Sequence, residues 1–295
     1  MDNIFNRIKY FYARGNVLAK LIFINVAVFL AVRLIFIVAI LFRMGDGDFL
    51  RYLQMPASPG EFIYQPWTIL TYMFLHADFI HILFNMLWLY WFGKIFLQFF
   101  SERHLGGMYV MGGIAGALLF MIAYNVFPYF RDTSSLNLLM GASASVMAIV
   151  FAVAFYRKDY EINLFLVGRV KLIYLALFAL LIDLLSITSE NAGGHIAHIG
   201  GALFGIVFAV RFQQGKDLTV FINRLIDRVV NIGKKRRPRM KVTGSKRRPE
   251  TDMEYNARKQ KEMKNLDAIL DKLKRSGYES LSADEKKALF NASRK

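Results

Sequence analysis

The chain has 295 residues, of which 55% are hydrophobic and 15% aromatic, and it carries a formal net charge of +16. Its apolar runs approach 20 residues and recur along residues 1 to 212, which is typical of a membrane protein and excludes an ordinary globular composition. Cysteine is absent, which excludes disulfides, thiolate metal sites and a cysteine nucleophile.

The chain begins with a segment, residues 1–16, in which basic residues stand among aromatic ones. Such a segment is expected to form a short amphipathic helix on the membrane surface. A first membrane span is predicted for residues 17–42, because the run is too long for a signal peptide and no small-residue cleavage site follows it. For Arg33 in this span, we expect either the membrane surface or Asp183 as a partner.

Five further spans are predicted after a polar loop, residues 43–66, whose middle is expected to form a short interfacial helix. They cover approximately residues 79–92, 106–127, 140–156, 170–187 and 194–212. The third span has Gly112 and Gly116 at a four-residue spacing that permits close helix packing. Residues 17–212 are therefore predicted to form a six-span core.

The distribution of basic residues predicts the orientation of this core. Six spans place both termini on one side of the membrane. The N-terminal region and the connections 94–105 and 157–171 hold ten Lys and Arg, whereas the other connections hold three. By the positive-inside rule, both termini are predicted to be cytoplasmic.

The tail holds most of the positive charge. From Gln213 onward there are 23 Lys and Arg against 11 Asp and Glu, a net charge of +12, which leaves +4 for residues 1 to 212. A basic segment directly after a membrane span favours anionic lipid as its partner over nucleic acid. Residues 213–250 are expected to be a disordered basic linker, and 251–295 a helical hairpin whose second helix starts at a capping box of Ser282 and Glu285.

Four polar residues are predicted to lie at one depth in the core. Spans two, four and six all start at the external face, and His81, Asn85, Ser143 and His198 lie near those starts. At 1.5 Å rise per residue, each lies roughly 5 to 15 Å below the external surface. His195 lies close to the same depth, but its position beside a loop favours an interfacial role.

This arrangement is typical of acyl transfer by a serine. An imidazole within hydrogen-bond reach is the usual base for a serine nucleophile, and side-chain donors of His81 and Asn85 could serve the developing oxyanion. Spans two, four and six contain no carboxylate, so the expected unit is a dyad without an acidic residue to orient the base. Each residue alone fits an ordinary helix contact equally well, because small and polar residues are common at membrane helix interfaces.

A metal site is the main alternative for the histidines. His76, His81, His195 and His198 are four candidate ligands, but HIAH lacks the glutamate of the helical zinc-peptidase pattern. No metal or cofactor is therefore assigned. A metal- or proton-coupled transporter is the weakest hypothesis, because Asp183 is the only carboxylate inside the predicted spans.

Three segments resemble the rhomboid family of intramembrane serine proteases. The segment HADFIHILFNMLWL resembles that family's His and Asn segment, GASAS its serine motif, and AHIGGALFG its histidine helix. The segments occur in the family's order, and the resemblance covers about residues 60–212. It implies an all-α membrane protein with a six-transmembrane-helix rhomboid-like bundle, followed here by a basic cytoplasmic tail that ends in a small helical hairpin.

The resemblance also implies roles for individual residues. Ser143 would be the nucleophile, His198 the general base, and Asn85 and His81 the oxyanion-hole residues. The preference for His198 over His195 rests on the small residues that follow it. These would let span six pack closely on span four, and they are Gly200, Gly201 and Gly205.

This sequence departs from the family's pattern at three positions. Ala144 replaces the glycine after the serine and would add a methyl group near the oxyanion site. Ser145 offers a second hydroxyl, which would point to another face of the helix than Ser143. Met147 stands where the family often has an aromatic residue that stacks on the catalytic histidine.

The resulting prediction is a serine-type endopeptidase in the cell membrane. It would cleave transmembrane segments of other membrane proteins near the external face through a Ser143–His198 dyad. The alternative is a catalytically inactive rhomboid-like protein that binds transmembrane clients. The expected partners are membrane protein substrates and the lipid bilayer, without nucleic acid and without a cofactor.

Overall fold

Helices form most of the chain in the structure, a computed structural model that describes residues 15–43, 48–132, 134, 137–164, 168–230 and 251–292. The α-helices are α1 (Val17–Leu41), α2 (Pro59–Tyr64), α3 (Thr68–Thr71), α4 (Phe79–Phe99), α5 (Glu102–Val126), α6 (Pro128–Arg131), α7 (Ser143–Tyr156), α8 (Leu172–Leu185), α9 (Ala192–Gln213), α10 (Val220–Val230), α11 (Asp252–Ser276) and α12 (Ala283–Ala292). Short 3₁₀ helices cover Asp48–Tyr52, Tyr72–Phe74 and Tyr278–Ser280. The predicted amphipathic segment falls almost wholly on residues 1–14, outside the described residues, as does part of the polar loop.

Each of the six predicted spans coincides with an apolar helix. Among the described residues, α1, α4, α5 and α9 are long and apolar enough to cross a membrane. The other two, α7 and α8, have 14 residues each, or about 21 Å of helix, which is shorter than a hydrocarbon core of about 30 Å. The multi-span core is thus four candidate spans plus two shorter apolar helices.

The core is arranged around α7. Residues 144 to 154 of this helix are all buried, each with at most 6% of its surface exposed. Helices α9, α5, α4 and α8 all contact it. Because these residues are enclosed by neighbouring helices, α7 is the central helix of the bundle.

Glycines permit the close contact between α9 and α7. A Cβ at Gly201 would lie 2.0 Å from the carbonyl oxygen of Ala144, and one at Gly205 would lie 2.4 Å from that of Ala148. Both contacts are with backbone, which cannot move aside as a side chain can. Gly200, predicted to face the same helix, instead packs on α5 against the carbonyl oxygen of Ala115.

A two-stranded ladder and a sharp turn lead the chain into α7. Strand β1 (Met55–Pro56) pairs antiparallel with β2 (Leu138–Leu139). Gly141 follows with φ +126°, a conformation that side chains with a Cβ rarely adopt, and its N–H donates to the carbonyl of Tyr72 at 3.0 Å. This turn sets Ser143 as the first residue of α7.

The connection between α7 and α8 is a β-hairpin. Strand β3 (Glu161–Leu164) pairs antiparallel with β4 (Gly168–Lys171). Span five was predicted to begin at Val170, but Val170 is paired with Ile162 and the helix begins at Leu172. The main-chain groups of Val170 are therefore held in the strand ladder.

The predicted linker 213–250 contains a helix that the sequence interpretation missed. Just before helix α10, the main-chain N–H of Thr219 donates to the Asp217 carboxylate at 2.7 Å. Within α10, Asp227 forms an ion pair with Arg103 of α5. A missed signal is the spacing of Ile222, Leu225 and Ile226 on one helical face. Residues 231–250 lie outside the described residues.

Residues 251–292 form a separate unit, a helical hairpin as predicted. At the start of α12, the main-chain N–H of Ser282 donates to Glu285 at 2.7 Å and the N–H of Glu285 donates back to the Ser282 hydroxyl at 3.3 Å. Lys272 of α11 joins the two helices through the Glu285 carboxylate at 2.9 Å. The capping box predicted from the sequence is confirmed.

Candidate functional site

A cavity of about 250 Å³ lies at the start of α7 and brings residues of four helices together. Ser143, His198 and Asn85, predicted from the sequence to lie at one depth, all line it. The other lining residues are Phe84, Trp88, Val146, Met147, Ala179, Ile182 and Asp183. The lining is mainly apolar with a few convergent polar groups, which is typical of a site for a small or extended ligand.

Ser143 lies at the N-terminus of α7, where main-chain N–H groups have no partner within the helix. The preceding Gly141 brings two functional groups close to one point. A Cβ at Gly141 would lie 3.0 Å from Nε2 of His81 and 3.6 Å from the hydroxyl oxygen of Ser143. A hydroxyl oxygen, an imidazole nitrogen and the positive end of a helix dipole therefore lie together.

Hydrogen bonding determines which nitrogen of His81 can donate. The main-chain N–H of Ala77 donates to Nδ1 of His81 at 3.4 Å. A neutral imidazole that accepts at Nδ1 carries its proton on Nε2, so the nitrogen next to Gly141 is a donor. The Asp78 carboxylate caps the start of α4 by accepting from the main-chain N–H of His81 at 2.8 Å. This cap places His81 on the first turn of the helix.

Arg33 supports the same segment from α1. Its guanidinium donates to the carbonyl of Ala77, the residue whose N–H contacts His81. The sequence-based expectation of Asp183 as the intramembrane partner of Arg33 is wrong, because Asp183 is engaged by two histidines elsewhere.

Asn85 lies one helical turn beyond His81. One N–H of its side-chain amide donates to the main-chain carbonyl of His81 at 2.9 Å. The residue is largely buried and lines the cavity, so the second N–H of the amide is the group available to a ligand.

A buried carboxylate on α8 accepts hydrogen bonds from two histidines of α9. Oδ1 of Asp183 lies 2.9 Å from Nδ1 of His198 and 2.8 Å from Nδ1 of His195. The expectation that His198 has no acidic partner is therefore wrong. His195, for which an interfacial role was expected, shares the same carboxylate. A sequence signal existed, because Asp183 and His198 lie at equal distances from the connection between spans five and six.

Asp183, His195 and His198 also form a possible metal-binding group, the one found among the described residues. Their ligand atoms all lie within 4.8 Å of one another, and neither His76 nor His81 belongs to the group. The two N···O distances of 2.8 and 2.9 Å are, however, those of charge-assisted hydrogen bonds.

His76, which lies just before α4, is buried beside His81. The two rings meet edge to face with centroids 5.1 Å apart, and both nitrogens of His76 lack a hydrogen-bond partner among the described residues. Burial, with a smaller contribution from the neighbouring His81, lowers the pKa of His76 to about 4. His76 is thus a neutral packing residue at pH 7.

The three departures from the family's pattern occupy different environments. Ala144 is buried and its methyl group lies against Gly116 of α5, so it does not line the cavity. Ser145 is fully buried next to Gly112, on the side of α7 that faces α5. Met147 lines the cavity together with His198.

The site holds the groups that acyl transfer needs. They are a hydroxyl at a helix N-terminus, an imidazole supported by a carboxylate, and two side-chain donors. Among the contacts of the described residues there is no direct hydrogen bond between Ser143 and His198, although both line the cavity. Such hydrogen bonds are often long without a ligand and shorten when one is bound.

Comparisons with known proteins match the two units of the chain separately. The sequence profile of the Rhomboid domain matches residues 64–214, and that of a family of unknown function, DUF6576, matches residues 250–295. The RHOMBOID-like protein 12, mitochondrial, of Arabidopsis thaliana is 29% identical over an alignment 159 residues long, which covers 50% of this chain and 47% of that protein. The chain spans about half the length of this relative. Because the Rhomboid domain covers just over half of the chain, the protein belongs to the rhomboid family.

Proposed function

We propose that this protein is an intramembrane serine endopeptidase in which Ser143 is the nucleophile and His198 the general base. The observation that carries the proposal is the common cavity of Ser143, His198 and Asn85, with Nε2 of His81 beside Gly141. Members of the family are generally proteases of this type.

The proposed reaction follows from the donors and acceptors of the cavity. The hydroxyl of Ser143 attacks the scissile carbonyl and transfers its proton to Nε2 of His198, which later protonates the leaving amine. The carbonyl oxygen gains negative charge in the tetrahedral intermediate. Nε2–H of His81, the free amide N–H of Asn85 and the main-chain N–H of Ser143 are the proposed donors to it.

The proposed substrates are transmembrane segments of other membrane proteins. The cavity lies at the start of α7, which the charge distribution predicts to be the external end of a six-span core in the cell membrane. A helical substrate must unwind there, because a helix engages the carbonyl that the serine has to reach. The basic tail would contact anionic lipid on the cytoplasmic side.

A fluorophosphonate probe tests the nucleophile directly. The full chain in detergent is labelled and compared with Ser143→Ala, Ser145→Ala and His198→Ala. We expect labelling of the wild type and of Ser145→Ala, because Ser145 is buried against α5. Labelling should be lost in Ser143→Ala and reduced by at least about 100-fold in His198→Ala. Labelling that persists in Ser143→Ala would disprove the assignment.

A cleavage assay separates this function from the alternative of an inactive client-binding protein. A membrane protein with a helix-destabilised transmembrane segment is reconstituted with the wild type and with Ser143→Ala. Cleavage by the wild type alone supports the protease. Stable association with the segment in both cases, without cleavage or probe labelling, would assign the chain to the inactive alternative.

A further inference from the structure

Asp183 is a buried carboxylate with two histidine partners. It is the only acidic residue within α8, its side chain is 7% exposed, and it faces α9 instead of lipid. Burying a carboxylate is unfavourable unless hydrogen bonds replace its water. Two imidazole nitrogens of α9, at 2.8 and 2.9 Å from the same oxygen, provide that replacement.

The hydrogen bonds set the direction in which His198 can act. An ionised carboxylate only accepts, so both histidines donate through Nδ1–H. A neutral His198 bound in this way has its lone pair on Nε2, the nitrogen that a serine proton would have to reach. The carboxylate also stabilises the imidazolium that forms when His198 takes the proton.

From this geometry we infer that Asp183 is a positioning residue for His198 and that His195 is the second donor that holds Asp183 in place. The inference rests on the proposed function and deepens it, because it replaces a two-residue unit with a chain of Ser143, His198, Asp183 and His195. Asp183 lies at the wall of the cavity, but its Oδ1 is occupied by the two histidines. It acts by fixing the tautomer and orientation of His198 and by supplying a negative charge behind it.

His195 has a distinct part in the chain. It lies three residues before His198 on the same face of α9, but it does not line the cavity. Its Nδ1 contacts the same Oδ1 of Asp183 as His198 does, and this second hydrogen bond restricts the rotation of the carboxylate. Any effect of His195 on the reaction should therefore pass through Asp183.

The first test separates charge from hydrogen bonding by measuring the rate constant of inactivation and the binding constant for the fluorophosphonate. Asp183→Asn keeps an acceptor oxygen but removes the charge, so we expect the inactivation rate constant to fall about 10-fold. Asp183→Ala removes both, and the rate constant should fall about 100-fold or more. The binding constant should change less than about threefold in Asp183→Asn, because this substitution keeps the size of the side chain at the cavity wall.

The control variant is Asp217→Asn. Oδ2 of Asp217 lies 3.2 Å from Nε2 of His104, so this substitution changes a second carboxylate that is paired with a histidine but lies outside the site. We expect its inactivation rate constant to equal that of the wild type. A rate constant for Asp183→Asn within about twofold of the wild type would overturn the inference, as would an equal loss in Asp217→Asn.

The second test asks whether His195 acts through Asp183. We expect His195→Ala to lower the inactivation rate constant by about three- to tenfold in the wild-type background and to have no further effect in Asp183→Ala. Additive losses in the double variant would overturn the proposed chain.

A third measurement detects the hydrogen bonds themselves. With five histidines in the chain, ¹⁵N-labelled imidazoles of the full protein in micelles can be assigned by substitution. We expect protonated Nδ1 and unprotonated Nε2 for His198 in the wild type and in Ser143→Ala, and a change of both signals in Asp183→Ala. The opposite tautomer of His198 in the wild type would overturn the inference.

Failure of the inference and failure of the proposed function give different results. Persistent labelling of Ser143→Ala would disprove both, whereas loss of labelling in Ser143→Ala with unchanged Asp183→Asn would disprove the inference alone.

Incubation with EDTA should leave the labelling rate of the wild type unchanged. A loss of labelling that Zn²⁺ restores would assign Asp183, His195 and His198 to a metal ion and overturn the inference.

Discussion

At the scale of single residues, the two positions after Ser143 contribute to packing. The methyl group of Ala144 fills the space beside Gly116, and Ser145 lies beside Gly112, so both face α5. The extra methyl group predicted near the oxyanion site is therefore away from the cavity. The hydroxyl of Ser145 lacks a hydrogen-bond partner among the described residues, which makes it a small energetic cost.

The buried His76 should make the protein sensitive to acid. The pKa of His76 is about 4 in the folded chain, and its ordinary value of 6.5 applies to the unfolded chain. The unfolded chain therefore binds more protons below about pH 6.5. Stability contributed by the neutral ring is complete above pH 6.5 and is lost as the pH falls towards 4, with a loss of about 2 kcal/mol at pH 5.

The measurement is thermal unfolding of the full chain in detergent between pH 8 and pH 4.5, for the wild type and His76→Phe. The wild type should lose stability more steeply below pH 6.5, while the two curves run parallel above it. Parallel curves over the whole range would show that His76 does not titrate in this way.

At the scale of elements, the contact between α7 and α9 determines whether the site exists. Ser143 is on one helix and His198 on the other, and Gly201 lies next to the backbone of Ala144 between them. A shift of α9 by the width of a methyl group would therefore move His198, the proposed base, away from Ser143, the proposed nucleophile.

Gly201→Ala should disrupt this contact. The added Cβ would lie 2.0 Å from the carbonyl oxygen of Ala144, so the helices must separate, at a cost of about 1–3 kcal/mol or more. We expect a lower unfolding temperature and loss of fluorophosphonate labelling. Gly106→Ala is the matched control, because its Cβ would meet only Val17 Cγ1 at 3.5 Å, an ordinary contact. Equal behaviour of the two variants would contradict the packing argument.

The elements also show what the sequence could predict. Apolar runs, glycine spacing and the Ser282 capping box identified the core helices and the hairpin, because these signals are local. The number of residues from each predicted span start placed Ser143, His198 and Asn85 at one depth, and the structure places them in one cavity. Asp183 was not predicted to belong to this site, because it lies on α8, which runs in the opposite direction to the helices that carry the other three residues.

At the scale of the whole molecule, the number of membrane crossings remains the main prediction to test. With six crossings and the predicted cytoplasmic N-terminus, the connection between α7 and α8 would be cytoplasmic. If only the four long helices crossed, the same connection would be external. Lys158 in that connection is exposed and distinguishes the two arrangements.

Because the chain contains no cysteine, single cysteines can report the side of each connection. We expect a membrane-impermeant maleimide to label Asp132→Cys in intact cells, and to label Lys158→Cys and Gln214→Cys only after the membrane is opened. Labelling of Lys158→Cys from outside while Gln214→Cys stays protected would exclude six crossings. Labelling of Gln214→Cys from outside would reverse the predicted orientation.

The different burial of α7 and α8 has a consequence for how a substrate could enter. Residues 144 to 154 of α7 are enclosed by neighbouring helices, whereas α8 exposes most of its apolar side chains and forms one wall of the cavity through Ala179, Ile182 and Asp183. A sideways movement of α8 would widen the entrance and, in the same step, withdraw Asp183 from His198. The open protein would then have a poorly oriented base, and closure around a bound segment would restore it. Entry and readiness for reaction would be coupled through one carboxylate.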